Sequence, residues 1–253
     1  MEKHVFATPL GEVWTWSEPD ALAVQGSGGE RPLVLFVNGA FSIARPRSFE
    51  LPGLLPEAVV MNAHLPANHC PAIIGASVGA YAAAYDAALD QIGRPAIVIG
   101  ASIGALVALG MRSPLIEGRV LCEPVLRTDN LWCLVPDFRR RLGESPDDAG
   151  LADFLWTVFG ISATEHVNRD YRHLLERLDG PAYAVFGGEP LLPPRPFTEL
   201  PSLVDEPERD LLRAHPLVRT EVIETVGHNV SGRAITFIRT YTRNLLNGRT
   251  KAV

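Results

Sequence analysis

The sequence predicts an α/β protein in which a mostly parallel, doubly wound sheet carries a small helical insertion. Two observations lead to this fold class. Short, continuous apolar runs alternate with segments of helical periodicity, which is typical of parallel strands covered on both faces by crossover helices. One segment between two of these runs, residues 127–179, is too long for an ordinary loop and itself contains helix-like stretches.

Six apolar runs are the expected parallel strands of the sheet. They are Pro32–Val37, Ala58–Met61, Pro95–Ile99, Val120–Cys122, Ala182–Phe186 and Thr220–Thr225. Ahead of them, His4–Thr8 and Glu12–Trp16 alternate in a way that predicts a hairpin turning at Pro9–Gly11.

Three helices are expected between and after the strands. Val78–Ile92 has helical spacing and ends at Gly93, a typical C-terminal cap, and the other two are Ile103–Met111 and Ala234–Leu246. Within the insertion, Leu151–Phe159 and Tyr171–Leu178 have the same periodicity. We therefore expect a core formed by residues 1–126 and 180–253, with residues 127–179 as a helical cap.

Composition excludes several classes of partner. The chain has 253 residues, a net charge of −6 and one short basic run at Arg139–Arg141, which argues against binding to nucleic acid or to an anionic membrane. Its three cysteines have neither disulfide-framework nor zinc-site spacing. The N-terminus lacks the apolar segment of a signal peptide, and the apolar runs are too short to span a bilayer. These features predict a cytoplasmic location.

The motif Gly-Ala-Ser-x-Gly-Ala occurs twice, at Gly75–Ala80 and at Gly100–Ala105. Gly-x-Ser-x-Gly can form a sharp strand-to-helix turn that presents a nucleophilic serine. The second copy follows the complete strand Pro95–Ile99, and we expect Ser102 to be that nucleophile. Ser77 follows a shorter apolar piece and precedes a long helix, where serine is a preferred N-cap.

A serine hydroxyl needs a base to remove its proton, and histidine is the usual base near neutral pH. His228 stands directly after the last predicted strand, at the edge of the sheet where Ser102 is also expected. We therefore predict that His228 is the partner of Ser102.

These residues give the chain a resemblance to the α/β-hydrolase superfamily. The match includes GASIG at Gly100–Gly104, VGH at Val226–His228 and the run VLFVNGA that ends at Ala40. The resemblance implies a nucleophile, acid and histidine in that order, and an oxyanion hole formed by the backbone N–H groups of Ile103 and Ala40. Where this family often has His-Gly, the chain has Asn38–Gly39.

The same resemblance implies an acid that orients the histidine. The family most often has an aspartate after the next-to-last core strand, where this sequence reads VFGGEPLLPP and offers Glu189. Glu189 is the expected acid. Glu123 and Asp129, which follow the preceding strand, are the alternatives.

The expected activity is that of a serine hydrolase that acts on an ester or thioester of a small to medium, partly hydrophobic molecule and needs no cofactor. The aromatic residues of the insertion are expected to roof the pocket and are Trp132, Phe154, Trp156 and Phe159. Acyltransferases, peptidases and C–C hydrolases can use the same machinery. The loop His64–Pro71 lacks the ligand number and spacing of a zinc site. The alternative function is a non-catalytic protein that uses the pocket to bind a ligand or partner.

Overall fold

The computed structural model contains eight strands in a single sheet. It describes residues 1–19, 21–22, 31–42, 55–65, 70–193, 199–233 and 235–248. The strands are β1 (Glu2–Thr8), β2 (Gly11–Ser17), β3 (Leu33–Val37), β4 (Val59–Ala63), β5 (Ala96–Ala101), β6 (Ile116–Cys122), β7 (Ala182–Gly187) and β8 (Val218–Ile223).

The sheet has the order β1-β2-β4-β3-β5-β6-β7-β8. The strands from β4 to β8 pair in parallel, whereas β1 and β2 form an antiparallel hairpin that adds to the edge of β4. This arrangement confirms the predicted fold class. The last strand begins and ends two residues earlier than the apolar pattern indicated.

Seven α-helices lie in the described part of the chain. They are α1 (Val78–Ile92), α2 (Ile103–Gly110), α3 (Val135–Glu144), α4 (Ala149–Phe154), α5 (Glu206–Ala214), α6 (Val230–Arg233) and α7 (Ile235–Leu246). The bounds of α1 are those predicted, and Gly93 ends it in the left-handed conformation with φ 68°. Helix α5 was not predicted, although Asp205 and Glu208 form a capping box at its start.

Both faces of the parallel sheet are buried, which explains why its strands are continuous apolar runs. The core on one face contains α1 and α2 together with apolar residues of the segment between β6 and β7. The core on the other face contains Ile238 and Leu245 of α7. Cys122 is 1% exposed and is part of this second core, and all three cysteines are free thiols.

A fully buried arginine holds the end of α2 against the sheet. Arg119 on β6 donates from Nε to the carbonyl of Ala108 at 2.9 Å and from Nη2 to the carbonyl of Met111 at 2.9 Å. Its Nη1 lies 3.1 Å from Oδ1 of Asp179. The last carbonyls of a helix receive no N–H donor from within the helix. This guanidinium supplies donors to two of them and complements the helix dipole.

The segment between β6 and β7 is mostly helical. In addition to α3 and α4 it contains 3₁₀ turns at Thr128–Cys133 and Arg172–Arg177 and a π-helical turn at Leu155–Phe159. No helix among the described residues combines the length and apolar character that a membrane span requires.

Candidate active site

Ser102 occupies a strained turn between β5 and α2. Its backbone has φ 55° and ψ −120°, an arrangement that costs a non-glycine residue about 1–3 kcal/mol and persists only where the surroundings impose it. A Cβ on Gly100 would overlap the backbone of Gly104 and Ala105, and one on Gly104 would overlap the carbonyl oxygens of Val37 and Asn38. Both glycines are therefore required by the close approach of strand and helix.

The two serines of the repeated motif have different environments. The hydroxyl of Ser77 accepts a hydrogen bond from the N–H of Ala80 at 3.1 Å, so Ser77 is the N-cap of α1, as predicted. Ser102 precedes α2 but makes no side-chain capping bond. Its hydroxyl is turned toward a histidine instead.

That histidine is His228, which follows β8. Its Nε2 lies 3.0 Å from the hydroxyl oxygen of Ser102. The backbone of this loop packs closely on Leu200, since the N–H of His228 donates to the carbonyl of Leu200 at 2.8 Å and a Cβ on Gly227 would overlap that same carbonyl. The imidazole is therefore held within hydrogen-bond distance of Ser102.

The carboxylate beside His228 belongs to Glu123. Its Oε2 lies 3.1 Å from Nδ1 of His228. Glu123 directly follows β6, has φ 53° and is 1% exposed. Because this carboxylate accepts from Nδ1–H, the neutral imidazole carries its proton on Nδ1 and presents Nε2 as an acceptor to the Ser102 hydroxyl.

The expectation that Glu189 contacts the histidine is thereby corrected. Glu189 is exposed, and its backbone bonds to Val226 and Ser202 hold it in the loop after β7. The physical reason is that β6 adjoins β5, and the left-handed turn at Glu123 directs its side chain to His228. Asp129, the other alternative, lies 3.4 Å from the guanidinium of Arg127.

Glu123 is held by three further donors. Its Oε1 accepts from the N–H of Gly187 at 2.7 Å and from the hydroxyl of Ser202 at 2.7 Å, and its Oε2 accepts from the N–H of Leu203 at 3.0 Å. Arg209 supports this arrangement, because its Nη2 donates to the Ser202 oxygen at 3.0 Å and to the Gly187 carbonyl at 2.7 Å. The roles of Ser202 and Arg209 in holding Glu123 were not predicted, because neither residue lies in a recognised motif.

The loop after β3 lies against Ser102. A Cβ on Gly39 would stand 3.3 Å from the Cβ of Ser102. The buried Asn38 side chain fixes the start of this loop, because its Nδ2 donates to Oδ1 of Asn62 at 3.0 Å and to the carbonyl of Ala63 at 2.8 Å. Ala40 follows Gly39 in this loop. Ile103, directly after Ser102, is the first residue of α2, so its N–H has no acceptor within the helix.

Aromatic side chains of the segment between β6 and β7 pack on this same loop. The Phe41 ring centroid is 5.6 Å from that of Phe138 and 6.0 Å from that of Phe154. Phe159 lies 5.4 Å from Phe154, and both are buried. Trp132 and Trp156 are more exposed, at 43% and 36%.

No group of three or more His, Cys, Asp or Glu side chains in the described ranges is arranged to hold a metal ion. In the loop after β4, His64 is buried with its ring centroid 4.4 Å from that of Trp16. Cys70 donates to the carbonyl of Leu65 at 3.3 Å, and His69 lies outside the described residues.

The fold and this arrangement of residues define a class of protein. Residues 34–237 match the sequence model of the alpha/beta hydrolase family. The chain therefore belongs to the alpha/beta hydrolase family. A comparison with curated protein sequences finds no match.

Several solved structures share the fold. A thermophilic esterase from Thermogutta terrifontis has 17% identity and a TM-score of 0.63, with 100% of both chains covered. The carboxylesterase CesB from Bacillus subtilis has 14% identity and a TM-score of 0.64, covering 98% of this chain and 93% of its own. The enol-lactonase from Burkholderia xenovorans LB400 has 14% identity and a TM-score of 0.67, covering 96% and 100%.

Proposed function

We propose that the protein is a serine hydrolase that cleaves an ester or thioester of a small to medium, partly hydrophobic molecule. The observation that carries the proposal is the continuous path from the Ser102 hydroxyl through His228 to Glu123, with contacts of 3.0 and 3.1 Å. A serine, an imidazole and a buried carboxylate in this geometry are the groups that acyl transfer requires.

In the first half of the reaction, Ser102 Oγ attacks the carbonyl carbon while His228 Nε2 accepts its proton. Glu123 stabilises the imidazolium that forms. The N–H groups of Ile103 and Ala40 bind the oxyanion, and donors of this kind contribute about 3–4 kcal/mol each at the transition state. His228 then gives its proton to the leaving alcohol or thiol, and an acyl group remains on Ser102.

In the second half, water attacks the acyl carbon and His228 Nε2 takes the water proton. Collapse of the tetrahedral intermediate releases the carboxylic acid, and His228 returns its proton to Ser102. Every group named in these steps belongs to the chain itself, and the proposal includes no cofactor.

The surroundings of Ser102 support the proposed substrate class. Half-buried Phe41, which packs on the buried rings of Phe138 and Phe154, places apolar surface next to Ala40. Such surface favours a partly hydrophobic acyl or alcohol group. An esterase, a carboxylesterase and an enol-lactonase among the structures of the same fold are consistent with an ester as the scissile bond.

The test is a panel of p-nitrophenyl esters of increasing acyl length together with labelling by a fluorophosphonate probe. We expect hydrolysis and labelling by the wild type and by Ser77→Ala, and the loss of both in Ser102→Ala. A folded wild-type protein that hydrolyses no ester and takes up no probe would contradict the proposal and favour the non-catalytic binding function.

A further inference from the structure

A cavity whose lining includes neither Ser102 nor His228 contains an unusual concentration of cationic groups. It has a volume of about 560 Å³ and lies between the start of α1, the end of α2 and the last part of the segment between β6 and β7. Three arginines line it: Arg112, Arg169 and Arg177. The cavity is therefore locally positive in a chain whose net charge is −6.

These guanidinium groups have no carboxylate partner among the described residues. None of the three lies in an ion pair within the described ranges. Arg112 donates from Nη1 to the carbonyls of Leu109 and Met111, and Asp86 accepts from its backbone N–H rather than from its guanidinium. Arg169 donates from Nη2 to the carbonyl of Trp156, while its Nε is buried without a hydrogen-bond partner.

Among the described residues that line the cavity, the one carboxylate, Asp170, is paired with an arginine outside the lining. Asp170 accepts two bonds from Nε of Arg172 at 3.0 Å and a further one from Nη2. This pairing lowers the pKa of Asp170 to about 2, so the carboxylate stays ionised and its charge is matched by that of Arg172. His173 also lines the cavity and adds a polar donor.

The first turn of α1 adds backbone donors to the same cavity. Ser77, Val78 and Gly79 line it, and the N–H groups of Val78 and Gly79 belong to the first turn of a 15-residue helix, where they have no acceptor within the helix. The first turn contains no acidic residue that would satisfy the positive end of the helix dipole. A Cβ on Gly79 would meet no other heavy atom within 4 Å, so the helix presents open backbone here.

From this arrangement we infer that the cavity binds the phosphate group of a small phosphorylated molecule or the phosphate ion itself. Three guanidinium groups and an open helix N-terminus match a dianion with several acceptor oxygens better than they match a single carboxylate. The inference is independent of hydrolysis at Ser102, because none of the residues that line this cavity belongs to the proposed catalytic machinery.

The test measures binding of inorganic phosphate and of phenyl phosphate to the whole protein by titration calorimetry. We expect saturable binding of phosphate with a Kd of about 1 mM or tighter. A tighter Kd for phenyl phosphate identifies a phosphomonoester as the ligand, and an equal Kd identifies the free ion. Absence of saturable binding by both probes would overturn the inference.

Variants locate the site. Arg177→Gln removes an exposed charge and is expected to weaken binding by roughly tenfold, the contribution of one charged hydrogen bond. Gly79→Asp places a negative charge at the open helix start and should abolish binding, whereas the neutral isostere Gly79→Asn should retain it. Arg213→Gln makes the same charge change on α5, where Arg213 pairs with Asp210, and should leave the Kd unchanged.

The Kd values of these variants test the phosphate site without any measurement of hydrolytic activity. An equal loss of affinity in Arg177→Gln and Arg213→Gln would show that only net charge matters and would overturn the site. Retention of binding in Gly79→Asp would overturn it as well. Thermal unfolding of each variant checks folding, and Gly79→Asp is expected to keep the wild-type stability or gain slightly, because an acidic residue in the first turn favours the helix.

Discussion

Replacement of Glu123 by glutamine tests whether Glu123 or Glu189 orients His228. The carboxylate of Glu123 accepts from the backbone of Gly187 and Leu203, from Ser202 and from His228 Nδ1. In the amide, one of the two oxygens becomes an NH₂ group that cannot accept. Whichever way the amide is turned, two of the four donors then face another donor.

The effect on the rate depends on the imidazole tautomer. If the NH₂ group faces His228, Nδ1 becomes the acceptor and the ring proton moves to Nε2, where it cannot accept the proton of Ser102. A tautomer change of this kind lowers kcat by on the order of 10⁴-fold, which corresponds to about 5 kcal/mol of transition-state stabilisation. If the amide turns the other way, the N–H of Gly187 and the Ser202 hydroxyl lose their acceptor instead.

Both orientations reduce stability. Loss of two hydrogen bonds to a charged group is expected to lower the free energy of unfolding by about 3–6 kcal/mol. The assay is therefore the kcat for the best p-nitrophenyl ester, measured at a temperature at which circular dichroism shows the variant to be folded. Denaturant unfolding of the same preparation gives the change in stability.

The matched control is Glu189→Gln, which makes the same chemical change in the exposed loop after β7. It should alter kcat by less than about twofold and leave stability within about 0.5 kcal/mol of the wild type. If folded Glu123→Gln keeps its kcat while Glu189→Gln loses it, the claim that Glu123 orients His228 is refuted.

Three other changes test how the site is supported. Ser202→Ala removes one donor to Glu123 and should lower kcat about tenfold with a small change in KM, as measured by steady-state kinetics; an unchanged kcat would show that this hydroxyl does not position the acid. Arg119→Leu leaves the carbonyls at the end of α2 without a donor, and chemical denaturation should show a free energy of unfolding lower by about 2–4 kcal/mol. An unchanged free energy of unfolding would contradict the claim that Arg119 holds the end of α2. Burial raises the pKa of Glu208 to about 8 from its usual value near 4.5, so the folded state binds its proton more tightly than the unfolded chain and the free energy of unfolding should fall as pH rises from about 5 to about 8. Glu208→Gln should flatten that dependence, and an equally steep pH profile would assign it to other groups.

The strands and the serine motif were predictable because each depends on local sequence. A continuous apolar run such as Leu33–Val37 indicates burial on both faces wherever it lies in the fold. Gly100 and Gly104 mark the tight turn at Ser102 because only glycine permits the approach of strand and helix that the structure shows. Ser77 was assigned correctly as a cap from the long helix that follows it.

The carboxylate that contacts His228 was not predictable from the same kind of information. Glu123 and Glu189 both follow parallel strands, and the resemblance favoured the later one. What decides between them is the left-handed backbone at Glu123 and the donors from residues 187, 202 and 203, all at least 64 positions away in the sequence. A contact that depends on such distant segments leaves no local pattern.

The most direct measurement of the central claim is peptide mass mapping of the protein after reaction with a fluorophosphonate. We expect a single phosphonyl adduct, on the peptide that contains Ser102, and the same peptide unmodified in folded His228→Ala after an equal exposure. A stable adduct on a peptide that lacks Ser102, or equally fast modification of Ser102 without His228, would contradict the claim that the imidazole activates this hydroxyl.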